Sequence, residues 1–250
     1  MGLIIKEIKV KSVLTKSGIP GADYCINPYV GCFHGCRYCY ATFMKRFTNH
    51  TEPWGKFVDV KISAPEVLEK QIKRAARGSI IISSVTDAYQ PIEARYKLTR
   101  KCLEVLLHHQ FSIDILTKSP LVLRDMDLIK RFKDISVGIT ITTDDEGMRK
   151  VFEPNAPSIS ARVNALKKLH ENGIATYAFI GPVLPMNPEA LTERIKPYAD
   201  SIIIDRMNYM SKTVRIYRQL KLERWLEDAF IENIIYIFKK GFAKKPVSIC

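Results

Sequence analysis

Short β-branched runs alternate along the chain with longer stretches whose apolar residues recur at helical spacing. Phe57 to Ile62 reads as a strand. A helix follows it, opened by Ser63-Ala-Pro-Glu66, where Ser63 is placed to cap and Glu66 to reach back in a capping box. Ser79 to Val85 reads as a buried strand, and the theme then repeats: helix Leu98 to His109, strand Phe111 to Leu116, helix Leu121 to Phe132, strand Ile135 to Ile141, helix Ser160 to Glu171, strand Ala175 to Ile180. Helix Pro188 to Tyr198 leads to strand Ser201 to Ile204, and an amphipathic helix or helix pair is expected over about Arg215 to Lys240.

A strand that is followed each time by a helix implies right-handed crossovers and parallel strands, hence an α/β fold that curls into an open or closed barrel, with a doubly wound sheet as the alternative. No linker rich in Pro, Gly or Ser divides the array, so residues 1–250 are expected to form a single domain, with a core over about 21–209 and a basic helical extension over about 210–250. In either architecture the ligand site lies at the carboxyl ends of the strands. There the apolar runs end repeatedly in polar residues: Ser83, Ser84, Thr86 and Asp87; Thr117 and Lys118; Thr140, Thr142 and Thr143; Gly181-Pro182; Asp205, Arg206 and Asn208. Any one of these is accounted for as a turn or cap residue. Their recurrence after five strands favours a shared pocket.

Composition narrows the picture. With 46% apolar residues in 250, the chain can bury a sizeable core. Its longest apolar runs fall far short of the roughly 20 residues that a membrane-spanning helix needs. Met1 to Lys11 alternates apolar residues with Lys and Glu and has no secretory pattern, so a cytoplasmic location without membrane association is expected. Lys and Arg outnumber Asp and Glu by 39 to 26, and the chain beyond Arg206 is especially basic, with Arg215, Arg218, Lys221, Arg224, Lys239, Lys240, Lys244 and Lys245. Such a surplus points to polyanions, with nucleic acid as the first class, while a solvated lysine-rich surface explains the charge equally well.

Three of the six cysteines fall in Gly31-Cys-Phe-His-Gly-Cys-Arg-Tyr-Cys-Tyr40, a C-x3-C-x2-C spacing bracketed by glycines that let the backbone wrap closely around a ligand. Three thiolates on a cubane iron–sulfur cluster leave one iron open, whereas structural zinc wants a closed set of four ligands and electron-transfer clusters are held by four cysteines. Cys25 or His34 are placed to close such a set, which keeps structural zinc as the runner-up, although the second cysteine knuckle of a zinc site is missing. Disulfides suit neither the size of the chain nor the lack of a secretory signal. Cys102 lies on an apolar helical stripe, Cys250 ends the sequence, and Cys25 reads as a structural thiol near the site, with a hydrogen-donor role as the lesser alternative.

The C-x3-C-x-aromatic-C pattern of Cys32, Cys36, Tyr38 and Cys39 resembles the signature of the radical S-adenosylmethionine superfamily. Asn27 to Ala41, Ser84 to Glu93, Thr117-Lys118 and Phe152-Glu-Pro-Asn-Ala-Pro157 with Arg162 extend the resemblance to the branch related to spore photoproduct lyase, over roughly Asn27 to Asn208. The resemblance implies a partial (β/α)6 barrel. It also implies a 4Fe–4S cluster on Cys32, Cys36 and Cys39, chelation of its open iron by S-adenosylmethionine, and one-electron supply from a reductant such as a flavodoxin or ferredoxin. Carried onto this sequence, Tyr38 would lie against the adenine, Ser84, Thr86 and Asp87 would hold methionine or ribose groups, Lys118 would meet the carboxylate, Thr140 would contact the ribose or methionine end, and Ile180 to Pro185 would line the adenine pocket. Spore photoproduct lyase carries a hydrogen-donating cysteine where Ser84 stands here. A serine O–H bond is too strong for that task, which argues against the same repair reaction.

The sequence therefore favours an enzyme that cleaves S-adenosylmethionine reductively and abstracts hydrogen from a substrate, with nucleic acid the first class. Two other readings stay open: a non-catalytic nucleic-acid binding module stabilised by zinc or an iron–sulfur cluster, and an electron carrier. Arg206, Asn208 and Tyr209 are candidates for substrate contact or for helix entry.

Overall fold

Runs such as Ser79-Ile-Ile-Ile82 and Ser201-Ile-Ile-Ile204 carry apolar side chains on consecutive positions, which suits strands covered on both faces. The computed structural model describes residues 2–250, Met1 lying outside them, and its strands in chain order are β1 (Ile4–Ile8), β2 (Leu14–Lys16), β3 (Tyr24–Ile26), β4 (Tyr29–Val30), β5 (Phe57–Lys61), β6 (Ser79–Ile82), β7 (Ser112–Thr117), β8 (Ile135–Thr140), β9 (Ala175–Ile180), β10 (Ser201–Ile204) and β11 (Val247–Ile249). Eight of them form one sheet in the order β11-β10-β9-β8-β7-β6-β3-β2. β3 and β6 to β10 run parallel to one another, β11 joins β10 in parallel, and β2 is antiparallel to β3. The two end strands do not pair, so the expected α/β architecture holds as an open, partial barrel of six parallel strands with additions at both edges.

Strand alternation sorts the side chains. On β7, Ile113 and Ile115 join the main apolar core beneath the helices, whereas Ser112, Asp114, Leu116 and then Lys118 line the inner cavity. The helix Ile159–Glu171 shows how the outer layer is built: Ser158 caps it by accepting from Ala161 N at 3.2 Å, and Ile159, Ala165, Leu166 and Leu169 are buried against the sheet. No helix among the described residues is long and apolar enough to cross a membrane.

Several elements differ from the sequence reading. Phe57–Lys61 is not a barrel strand; it is the centre of a separate three-stranded sheet, β1-β5-β4. The first barrel strand is β3, too short for its period to register. Ser63 makes no capping bond to its helix, and its hydroxyl oxygen accepts instead from Val10 N at 2.9 Å. The helix expected over Leu121 to Phe132 is a 3-10 segment, Pro120–Asp125, followed by one α turn, Met126–Ile129. There Arg124 is drawn to Glu93 and Asp125, which favours the tighter turn over a continuous stripe. An unforeseen helix, Glu146–Phe152, is capped by Asp145. The C-terminal extension has helices Val214–Gln219 and Asp228–Gly241 but is not wholly helical, because it returns to the sheet as β11. Part of its basic charge is already engaged: Lys245 Nζ donates to the carbonyls of Lys196 and Ala199, and Arg224 lies 4.1 Å from the Phe230 ring centroid.

Tyr177 lies across its register partner Gly138 and reaches over β8 to Asp114, its hydroxyl donating to Oδ2 at 2.9 Å. A Cβ on Gly138 would stand 2.1 Å from the Tyr177 ring. Gly138→Ala is therefore expected to lower stability by about 1–3 kcal/mol in urea unfolding, and by clearly less in a Tyr177→Ala background. Equal costs in the two backgrounds would contradict this packing.

Candidate functional site

The cysteine loop hangs over the carboxyl ends of the strands and is tied down from several sides. Gly31 takes φ +84° where a side chain would meet the Phe57 carbonyl at 2.5 Å, and Gly35 takes φ +61°, as the bracketing glycines suggested. From the segment after β6, Thr86 Oγ1 donates to Gly31 O at 2.6 Å, Gln90 Nε2 donates to the same carbonyl at 3.2 Å, and Gln90 Oε1 accepts from Phe33 N at 2.8 Å. From the end of the helix Glu146–Phe152 and the turn after it, Phe152 O accepts from Arg37 N at 2.8 Å and Asn155 Nδ2 donates to Phe33 O at 3.0 Å. Lys212 Nζ, from the C-terminal extension, donates to Cys39 O at 2.8 Å.

Cys32, Cys36 and Cys39 all face one cavity of about 670 Å³ that also takes in Ser84, Thr86, Asp87, Lys118, Thr140, Gly181 and Asp205. The strand ends thus do form one pocket. Burial raises the Cys32 thiol well above its ordinary value, and Asp87 and the two neighbouring cysteines add to the shift. Cys36 is pushed up to about 12, burial outweighing the Lys118 cation. Burial also raises Cys39, while the Ala41 backbone N–H, Lys118, Lys212 and the Trp54 side-chain donor pull it down. Three thiols that resist ionisation together suit a ligand that brings its own positive charge, since metal coordination deprotonates a thiol outright. Two buried polar atoms on the same cavity wall, His34 Nε2 and Ser83 Oγ, have no hydrogen-bond partner. The donor chemistry suits an iron–sulfur cluster with a polar ligand beside it, although among the described residues no three Cys, His, Asp or Glu side chains are grouped closely enough to hold one metal ion.

The other residues singled out in the sequence fall into two groups. Asp87 is saturated by protein donors: Thr117 Oγ1 at 2.6 Å, Tyr89 N at 2.9 Å and Lys118 N at 2.9 Å, with His34 Nδ1 at 3.4 Å. The Thr86 hydroxyl is committed to Gly31, and Ser84 Oγ lies 3.0 Å from Cys25 Sγ, beside Asn27. Lys118 remains the cation of the cavity, 5.8 Å from the Tyr38 ring centroid and 3.9 Å from Glu153. Burial disfavours its charge, yet Cys36 and Glu153 outweigh that and hold the ammonium above its ordinary range. Thr140 lines the cavity, and its carbonyl accepts from Arg162 at 3.2 Å. Arg206 turns away to Glu232 and Asp228, Asn208 bonds Asp205, and Tyr209 stacks on Tyr40 at 6.1 Å.

Glu153 stands in the sequence as one residue of Phe152-Glu-Pro-Asn-Ala-Pro157, and the structure puts it at the pivot. Its carboxylate, wholly buried, accepts from the Tyr38 hydroxyl, from Thr142 Oγ1 at 3.0 Å and from the equally buried Arg162 guanidinium. Burial alone would raise its pKa, but Arg162 and Lys118 hold it at about 2. Gln90, Lys212 and Trp54 were also missed. The Pro that follows Glu153 was the available signal, since it fixes the turn after the helix.

Comparison with known proteins agrees with the fold. The family model described as the radical SAM superfamily matches residues 26–196. A protein of Methanocaldococcus jannaschii is 41% identical over 246 residues, covering 97% of this chain and 90% of that one. Spore photoproduct lyase complexed with dinucleoside spore photoproduct has the same fold at a TM-score of 0.72 and 13% identity, covering 98% of this chain and 82% of that chain. Streptococcus suis SuiB bound to the precursor peptide SuiA shares the fold at a TM-score of 0.61 and 15% identity, covering 90% of this chain and 48% of that chain.

A carboxylate whose folded pKa lies near 2 rather than its ordinary 4.5 stabilises the protein fully above 4.5, and that stability is lost as the pH falls toward 2. Glu153→Gln is expected to flatten this part of the stability curve in urea unfolding at stepped pH. Because Arg162 is left without its anion, the variant is also expected to lose about 3–5 kcal/mol at neutral pH. An unchanged acid slope would contradict the assignment.

Proposed function

Because the chain belongs to the radical SAM superfamily, we propose that Cys32, Cys36 and Cys39 hold a 4Fe–4S cluster and that the cavity beside them binds S-adenosylmethionine and a substrate. The observation that carries this reading is that all three cysteines line one cavity whose wall also holds unpartnered buried polar atoms. When bound to Cys32, Cys36 and Cys39, the cluster would supply one-electron reductive cleavage of S-adenosylmethionine for hydrogen abstraction from a substrate, with the electron coming from a reductant such as a flavodoxin or ferredoxin.

The chain's own residues bind, orient and exclude water. Lys118, kept charged by Cys36 and Glu153, is the group suited to the methionine carboxylate. Tyr38 has its hydroxyl fixed by Glu153, so its ring is held in one orientation on the cavity wall, as stacking on an adenine requires. Ser84 and Thr140 offer polar atoms to the methionine or ribose. Thr86 and Asp87 act one step back: the first holds the cysteine loop, the second orients Lys118 through its backbone N–H. Phe152, Leu184 and Tyr217 pack around Tyr38 and Cys36 and keep water from that wall.

Nucleic acid is the substrate class favoured by the formal charge of +13 and by the rim of the cavity. There Phe43, Tyr40 and Tyr209 stack in a row and are exposed, with Arg46 5.3 Å from the Phe43 ring centroid and Lys212 5.9 Å from that of Tyr209. Aromatic faces interleaved with cations suit unpaired bases and their phosphates. Ser84, in place of a hydrogen-donating thiol, separates the expected reaction from that of spore photoproduct lyase.

After anaerobic reconstitution with iron and sulfide, dithionite and S-adenosylmethionine are expected to yield 5′-deoxyadenosine, and Cys36→Ala to yield none. Tightly bound zinc and no product even with iron supplied would overturn the enzyme reading. A mixed-sequence single-stranded oligonucleotide is expected to bind at low salt and to weaken steeply as salt rises. Absence of binding at low salt would remove nucleic acid as the substrate class.

A further inference from the structure

The cavity does not stop at the strand tips. Asp114 lines it from within β7, four residues before Lys118, which is about 13 Å away at the ordinary strand rise. The wall in this stretch is apolar, with Leu116 from β7, Ile81 from β6, Phe179 from β9 and Ile203 from β10 facing the same space. Asp114 itself is half-buried, and its register partners are Ile81 on one side and Ser136 on the other.

Buried acids elsewhere in this protein have cations beside them. Glu93 has Arg124, Asp125 has Arg100 and Arg124, Asp59 has His50 and Glu153 has Arg162. Among the described residues Asp114 has no such partner. Its carboxylate accepts from two neutral hydroxyls, Ser136 Oγ to Oδ1 at 2.7 Å and Tyr177 to Oδ2 at 2.9 Å. Burial raises this carboxyl above its ordinary value, and the two hydroxyls offset the rise only in part. A carboxylate has about four lone-pair sites, so each oxygen can accept once more. The site suits a flat, largely apolar body that ends in two N–H donors side by side.

We infer that Asp114 selects guanine: a base entering the barrel from single-stranded nucleic acid gives its N1–H and one N2–H to the two carboxylate oxygens. The inference deepens the substrate class proposed above and rests on it. Enzymes that act on a base take it out of the stack and read its pairing edge inside a pocket. Guanine alone among the common bases presents two adjacent donors on that edge at neutral pH. Adenine and cytosine set an acceptor beside their donor, and thymine or uracil sets one donor between two acceptors, so each would turn a lone pair toward the Asp114 carboxylate. The rim fits the same ligand, with exposed aromatic faces and cations for the neighbouring bases and phosphates while the base edge lies within.

The test is fluorescence anisotropy at low salt with a labelled short oligothymidine that carries one guanine at its centre, on iron-reconstituted protein with S-adenosylmethionine and no reductant. This oligonucleotide is expected to bind about tenfold more tightly than its counterparts with adenine, cytosine or thymine at the centre. Asp114→Asn, whose amide sets a donor beside its acceptor, is expected to erase the preference. No preference in the wild type, or one that survives in Asp114→Asn, overturns the inference. Should Asp114→Asn fail to fold, base analogues on the wild type decide: hypoxanthine, which lacks the N2 amino group, is expected to lose the preference, and 7-deazaguanine, which keeps both donors, to retain it. Equal binding of hypoxanthine and guanine overturns the inference. A wild-type protein that binds none of these oligonucleotides overturns the nucleic-acid reading itself, and this inference falls with it.

Discussion

Glu153 and Arg162 meet where no water reaches, and the shape of the cavity follows from how their charges are satisfied. Arg162 spends its remaining donors on the carbonyls of Pro157 and Thr140, which ties the helix Ile159–Glu171 to the end of β8. Glu153 spends its remaining acceptors on Tyr38 and Thr142, which ties the cysteine loop to the barrel. A buried ion pair is weak evidence for stability in itself, because desolvation offsets the attraction. Its value here lies in geometry. Neither charge tolerates a displaced partner, so the loop, the strand end and the helix are held in one arrangement.

That arrangement accounts for the distribution of polarity at the carboxyl end of the sheet. The hydroxyls of Thr86 and Thr117 and the carboxylate of Asp87 are consumed inside the protein, binding the cysteine loop and the turn after β7. What remains turned to the cavity is one ammonium, Lys118, a few hydroxyls, the orphaned His34 and Ser83 atoms and the three thiols. The wall is built to hold its shape before any ligand arrives, which limits reorganisation when charge moves. The extension reaches the same loop, where Lys212 Nζ donates to the Cys39 carbonyl.

Much of this was legible in the sequence where a period or a spacing repeats. The parallel array followed from strands and helices in alternation, and the sharp turns of the cysteine loop from its bracketing glycines. The short strands were not legible: β3 and β11 have three residues each, too few for alternation to show. Nor was the separate sheet around β5, since a strand's partners are not encoded in its own pattern. Ser63 has the composition of a capping box, but the approach of Val10, distant in sequence, takes its hydroxyl. Glu153 escaped for the same reason: its partner Tyr38 lies 115 positions away, and only folding brings them together. Thr86 and Asp87 line the cavity, while their commitment to protein partners depends on contacts that no linear motif carries.

In the proposed function, Cys32, Cys36 and Cys39 hold a four-iron cluster whose remaining iron is open to S-adenosylmethionine. Mössbauer spectroscopy of protein reconstituted with iron-57, recorded before and after addition of S-adenosylmethionine, tests this most directly. The account predicts that one iron site changes its isomer shift on addition while the other three keep theirs. Four sites that do not respond, as in a cluster fully ligated by protein, would contradict it.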